Sequence, residues 1–256
     1  MEKTTIFNSV KRKLLEGKQV VGGTIQTPDP NIYLAMANSG FDFIWIEMQH
    51  SPMSYQDVAA MIWAGRDAPT IPFIRVPDAT EGDIQKATDI GALGIIIPMV
   101  NSVKKVENAV KFANYPPLGE RSLGGGQHFD LWGSNYRQKA NDNIIIVAQI
   151  ESPAGVDIVE DLAQIDGLDI IMVASTDLAS FSGFNQGDEE YESMVSKVSK
   201  ATLSSGLILG GPYAWKNRKS FNFFQAPTAE VLLTRGVKSL LNEETDGFAE
   251  TEGNER

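Results

Sequence analysis

No cysteine occurs in the 256 residues, and the only histidines are His50 and His128. The first absence excludes disulfides and thiolate metal centres, and the second leaves two imidazoles for acid–base chemistry near neutral pH. No apolar run approaches the ~20 residues that span a bilayer, and the opening MEKTTIFNSVKRK lacks the apolar core of a secretory signal. The expectation is a cytoplasmic protein with no membrane contact. Positive charge is scarce as well: 22 Lys and Arg stand against 33 Asp and Glu, a formal net charge of −11. That balance argues against a nucleic-acid partner or an anionic membrane surface.

What is present is ordinary globular composition, 42% hydrophobic and 21% charged. Short apolar runs alternate with helix-like stretches along the chain, the pattern of a parallel sheet covered by helices, and the length matches an eight-stranded β/α barrel. Strands are expected at 20–27, 41–46, in the run ending at Arg75, and at 94–100, 144–150, 169–173 and 207–212. The eighth is expected at 237–241, VKSLL, after a short helix over 228–235. The run FNFF before it reads as strand, lid or subunit contact. A glycine-rich excursion over 115–133 is long for a compact domain, and such loops are usually functional or disordered. One barrel domain over 1–245 is expected, followed by an acidic tail over 246–256 expected to be disordered.

The barrel reading directs attention to strand ends, because barrel enzymes draw catalytic groups from several strand ends at one face. The stretch FDFIWIEMQHSPMS (41–54) runs an apolar strand into Glu47 and His50. Other strands end in Arg75, in Gln149 and Glu151, and near Asp177. Glu151 and Asp177, with no cysteine to compete, make an oxygen donor set suited to Mg²⁺ or Mn²⁺. Such a site chelates a 2-oxo acid through its keto and carboxylate oxygens. Each residue also has an ordinary structural reading: Asp177 as a helix cap, His50 as a hydrogen-bonded structural histidine, Arg75 as a surface ion-pair partner, His128 as a solvated loop residue.

Six segments taken together, FDFIWIEMQHSPMS, FIRVP, TDIGALGIIIPMVNS, YPPLGERSLGG, VAQIESPAGV and STDLA, resemble in order the motifs of the HpcH/HpaI aldolases. These are metal-dependent pyruvate aldolases of the phosphoenolpyruvate/pyruvate barrel superfamily. The resemblance implies a (β/α)8 TIM barrel that cleaves 4-hydroxy-2-oxo acids to pyruvate and an aldehyde. It implies His50 as base, Asp89 as its support, Arg75 facing the keto oxygen, and Glu151 and Asp177 as ligands of Mg²⁺, Mn²⁺ or Co²⁺. Gln149 then lies beside the pyruvate moiety, and the backbone at Ser175 and Thr176 receives its carboxylate. Partners implied are pyruvate or oxaloacetate, an aldehyde or other acceptor, and further copies of the chain in a dimer or hexamer.

Departures are visible. Glu47 and Gln49 replace two acids common in the family, Ala174 and Ser175 replace its Gly-Pro, and Ser122 replaces a glycine after Arg121. The acidic end suggests a short or missing C-terminal exchanged helix. His128 and Trp132 resemble a branch that includes macrophomate synthase, so oxaloacetate decarboxylation coupled to carbon–carbon bond formation stands as an alternative. A barrel that binds without turnover is another.

Overall fold

The computed structural model describes residues 6–242. Its frame is a closed barrel of eight parallel strands in chain order: β1 (Val20–Ile25), β2 (Phe43–Glu47), β3 (Ile71–Arg75), β4 (Gly94–Ile97), β5 (Ile145–Ile150), β6 (Ile170–Val173), β7 (Ile208–Pro212) and β8 (Phe221–Thr228). The helices are α1 (Ser9–Leu15), α2 (Pro30–Ala37), α3 (Tyr55–Ala64), α4 (Glu81–Asp89), α5 (Val103–Ala113), α6 (His128–Trp132), α7 (Tyr136–Asn143), α8 (Pro153–Asp157), α9 (Val159–Leu162), α10 (Ser175–Ser182), α11 (Glu189–Ser204) and α12 (Ala229–Asn242).

Local chemistry sets many of these boundaries. Asn8, Asp29, Ser54, Thr80 and Ser152 accept backbone N–H groups at the starts of α1, α2, α3, α4 and α8, satisfying donors that a helix leaves orphaned. Strands β2 to β6 are buried along their whole lengths, as their continuous apolar composition requires when helices cover one face and the barrel interior the other. Phe43, Phe73 and Phe223 meet inside, with centroids 4.6–5.9 Å apart. Gly22 and Gly94 make room for them, since a Cβ at either would overlap the Phe43 or Phe73 ring.

The eighth strand is not where the sequence suggested. It is Phe221–Thr228, with Phe221, Phe223 and Phe224 buried, and it closes the barrel between β7 and β1. FNFF is therefore neither a lid nor an exposed contact. The VKSLL segment belongs to α12, in which Leu233, Val237, Leu240 and Leu241 repeat at helical spacing. A C-terminal helix is thus present over Ala229–Asn242. The excursion at 115–133 is partly structured by α6, α7 follows where no helix was anticipated, and the helix expected at 155–162 is broken into α8 and α9. The expectations for 246–256 lie outside the described residues.

Candidate active site

Glu47, the last residue of β2, is the hub of the site. Its side chain is fully buried, and burial of a carboxylate demands partners. Oε2 accepts from Trp45 Nε1 at 3.1 Å and from Arg75 Nε on the neighbouring strand, where Glu47 and Arg75 are in register. Oε1 accepts the backbone N–H groups of Gln49 (2.8 Å) and His50 (3.0 Å). The residue that departs from the family pattern therefore both anchors the arginine and shapes the turn carrying His50. The His50 ring is exposed and makes no hydrogen bond to a described residue. Gln49 Oε1 is buried without a partner.

Arg75 lies 5.5 Å over the Trp45 ring. Its Nη1 donates to Gln149 Oε1 at 3.2 Å and sits 3.8 Å from Glu151 Oε1. Glu151 follows β5 and is 2% exposed. Burial pushes its carboxyl above the ordinary range, the Met99 N–H and Arg75 pull it down, and the charge of Asp177 raises it again. Met99, just past β4, has φ +49°, a conformation a non-glycine residue adopts at a cost of about 1–3 kcal/mol. There its N–H donates to Glu151 Oε2.

Ser175, Thr176 and Asp177 form the first turn of α10, which no side chain caps. Tyr191 holds this turn by donating from its hydroxyl to the Ser175 carbonyl at 3.0 Å. Asp177 is exposed and accepts no hydrogen bond from a described residue. Arg75, Gln149, Ser175, Thr176, Asp177 and Gln225 border one cavity of about 160 Å³.

The buried Glu151 after β5 and the exposed Asp177 at the start of α10, after the neighbouring β6, would suit a divalent cation, and such an ion would relieve the burial and repulsion that raise Glu151. Among the described residues no group of three His, Cys, Asp and Glu side chains could hold a metal. Glu151 and Asp177 would therefore share it with water or substrate oxygens.

No hydrogen bond joins Asp89 to His50 among the described residues. Asp89 Oδ1 takes Arg121 Nη2 at 2.7 Å, and Arg121 Nη1 also donates to the Tyr136 hydroxyl at 3.0 Å. His128 is fully buried, so it is not a solvated loop residue. Its Nδ1 lies 3.0 Å from the Asp89 carbonyl oxygen, and burial depresses its basicity. The 115–133 segment thus braces the end of α4. Glu47 is visible in the sequence as a strand-end acid without an assigned role, and nothing in the sequence marks Met99.

Carboxylates, an arginine and a histidine gathered at the carboxyl ends of parallel barrel strands define a barrel of the enzyme type. The profile of the HpcH/HpaI aldolase/citrate lyase family matches residues 25–215, and the chain belongs to that family. It is 33% identical over 211 residues to a 4-hydroxy-2-oxovalerate aldolase of Novosphingobium aromaticivorans, covering 81% of this chain and 79% of that protein. To a hydroxypyruvate/pyruvate aldolase of Rhizorhabdus wittichii it is 28% identical, covering 92% and 98%. Among solved structures, the citrate synthase SbnG superposes with TM-score 0.80 at 30% identity, over 91% of this chain and 96% of that one. Macrophomate synthase, at 21% identity and TM-score 0.79 over 92% and 87%, shares the fold.

Proposed function

We propose that this protein is a divalent-metal-dependent carbon–carbon lyase that forms a pyruvate enolate, cleaving 4-hydroxy-2-oxo acids to pyruvate and an aldehyde. The observation carrying this reading is the single small cavity bordered by Arg75, Gln149, Asp177 and the uncapped start of α10. Free N–H groups at a helix start suit the substrate carboxylate. Arg75 Nη2 makes no hydrogen bond to a described residue, so it is available to the keto oxygen, where negative charge develops in the enolate. His50 takes the proton of the 4-hydroxyl, the C3–C4 bond breaks, and its electron pair becomes the enolate; protonation at C3 then gives pyruvate. Mg²⁺, Mn²⁺ or Co²⁺ bound by Glu151 and Asp177 would supply Lewis acidity at the 2-oxo group.

Stripping divalent ions with a chelator is expected to abolish cleavage, and adding Mg²⁺ or Mn²⁺ back to restore it. A chelated protein working at full rate would overturn the metal part of the reading.

The likeness to a citrate synthase favours a second reading, carbon–carbon bond formation rather than cleavage, for which decarboxylation of oxaloacetate would supply the enolate; product analysis with oxaloacetate and candidate acceptors separates the two. A barrel that binds without turnover would instead show tight metal and pyruvate binding with no turnover, unaffected by His50→Ala. No described helix is long and apolar enough to cross a membrane, and a cytoplasmic location is part of the same reading. So is a homo-oligomer, dimer or hexamer, supported by the exposed apolar side chains of α12.

A further inference from the structure

At the amino end of β3, away from the strand end that carries Arg75, lies a cavity of about 240 Å³. It is bordered by the amino-terminal segment with Arg12, the α3–β3 junction with Arg66 and Thr70, Tyr33 of α2 and Trp132 of α6. At ~30 Å³ per water it has room for roughly eight. Two hydroxyls on nearly buried side chains lack partners here. Thr70 is 5% exposed, and its Oγ1 is buried with no hydrogen-bond partner among the described residues. Tyr33 is 2% exposed, and its hydroxyl makes no hydrogen bond to a described residue. Buried polar groups are nearly always paired, so two such hydroxyls on one cavity point to a ligand that pairs them.

Charge stands at the mouth, where Arg12 and Arg66 are exposed. Arg12 gives Nη1 to the Ile6 carbonyl and pairs with no described acid. Arg66 gives Nη1 to the Trp63 carbonyl, and its Nε lies 3.6 Å from Asp67, an exposed residue off the cavity wall. Such a solvated pair holds its arginine weakly. No Asp or Glu is among the described residues that border the cavity, in a chain of formal net charge −11. Two guanidiniums beside an acid-free pocket suit an oxyanion. With the two hydroxyls they make four donor side chains, which match the oxygens of a phosphate group better than the two of a carboxylate. The Phe7 and Trp132 rings, stacked 5.7 Å apart, add an apolar wall.

We propose that this cavity binds a phosphate group, free or carried on a small ester, with Arg12 and Arg66 at its mouth and Tyr33 and Thr70 at its floor. The bound group ties α1 to the junction of α3 and β3, at the end of the barrel away from the reaction centre. None of the residues assigned to the pyruvate-enolate chemistry borders this cavity, so the site stands independently of that reading.

The test is the melting temperature of the metal-loaded full chain, titrated at constant ionic strength with inorganic phosphate, glycerol 3-phosphate or acetate. Phosphate or its ester is expected to raise it saturably, by roughly 3–6 °C at ten times the Kd, and acetate to leave it unchanged. A response to inorganic phosphate assigns the site to the free ion, and a response to the ester alone assigns it to phosphate monoesters. Arg12→Gln combined with Arg66→Gln, at exposed positions that spare the fold, should weaken the Kd by about ten-fold or more. Thr70→Val, which keeps the side-chain shape and removes the hydroxyl, should weaken it too. Asp177→Asn should bind as wild type does; loss of the response there would place the phosphate at the metal and overturn the proposal. So would no response to either phosphate, an equal response to acetate, or an unchanged Kd in the double arginine variant.

Discussion

Arg75 carries two duties that a substitution would separate. It faces the cavity, and it neutralises the fully buried Glu47. Arg75→Met is expected to lower cleavage by about 100-fold or more through loss of charge at the enolate oxygen. It is also expected to cost about 3–5 kcal/mol, because a buried carboxylate is left unpaired. Urea denaturation checks the second effect, and adding Glu47→Gln should recover part of the stability and none of the activity. Glu151 gives the opposite trade. Its folded-state carboxyl is raised, mainly by burial, so above the ordinary carboxylate range the native state binds more protons than the unfolded chain. Its contribution to stability therefore falls as pH rises through its folded pKa. Glu151→Gln removes that loss: in chelator, the variant's melting temperature relative to wild type should be more favourable at pH 8 than at pH 5, while metal-dependent cleavage disappears. A pH-independent difference would show that Glu151 is not the strained group.

At the scale of elements, the strand ends aim the chemistry and the glycines inside the barrel let the strands approach. Gly94 on β4 packs against the face of Phe73, and Gly22 on β1 against Phe43. Gly94→Ala is expected to cost about 1–3 kcal/mol through overpacking against a ring that is itself held by Phe43 and Phe223. A thermal melt indistinguishable from wild type would refute that packing argument. The loop between α5 and β5 works differently: Arg121, His128 and Tyr136 converge on the end of α4, so its length serves an internal brace. Its glycines and aromatics announced a special segment without saying what it touched.

For the whole molecule, the open question is what meets α12. Leu233 and Leu241 are 70% and 77% exposed, and the helix forms, with α2, a groove bordered by Ile32, Met36, Phe41, Leu232 and Leu233. Large apolar side chains are exposed elsewhere too, Leu15, Trp63 and Phe181 among them, but those of α12 recur along one helix beside this groove, where the proposed oligomer would pack. Sedimentation velocity is expected to show an oligomer at micromolar concentration, shifted toward monomer by Leu233→Glu with Leu241→Glu. A wild-type monomer would remove the oligomer from the reading.

The β/α alternation, the barrel class and the strand-end polar residues were legible because strand burial and helical period are written locally, in runs such as FIWIE, GIII and IIVAQI. The identity of the eighth strand was not, because FNFFQAPT and VKSLL are both short apolar runs, and only closure of β8 onto β1 chooses between them. Likewise Glu47 reads as a departure in the sequence. Its bonds to Trp45, Gln49 and His50 are local to the strand and the turn after it, but its pairing with Arg75 exists only when β2 and β3 lie in register, since hydrogen bonds between distant residues are decided by tertiary geometry.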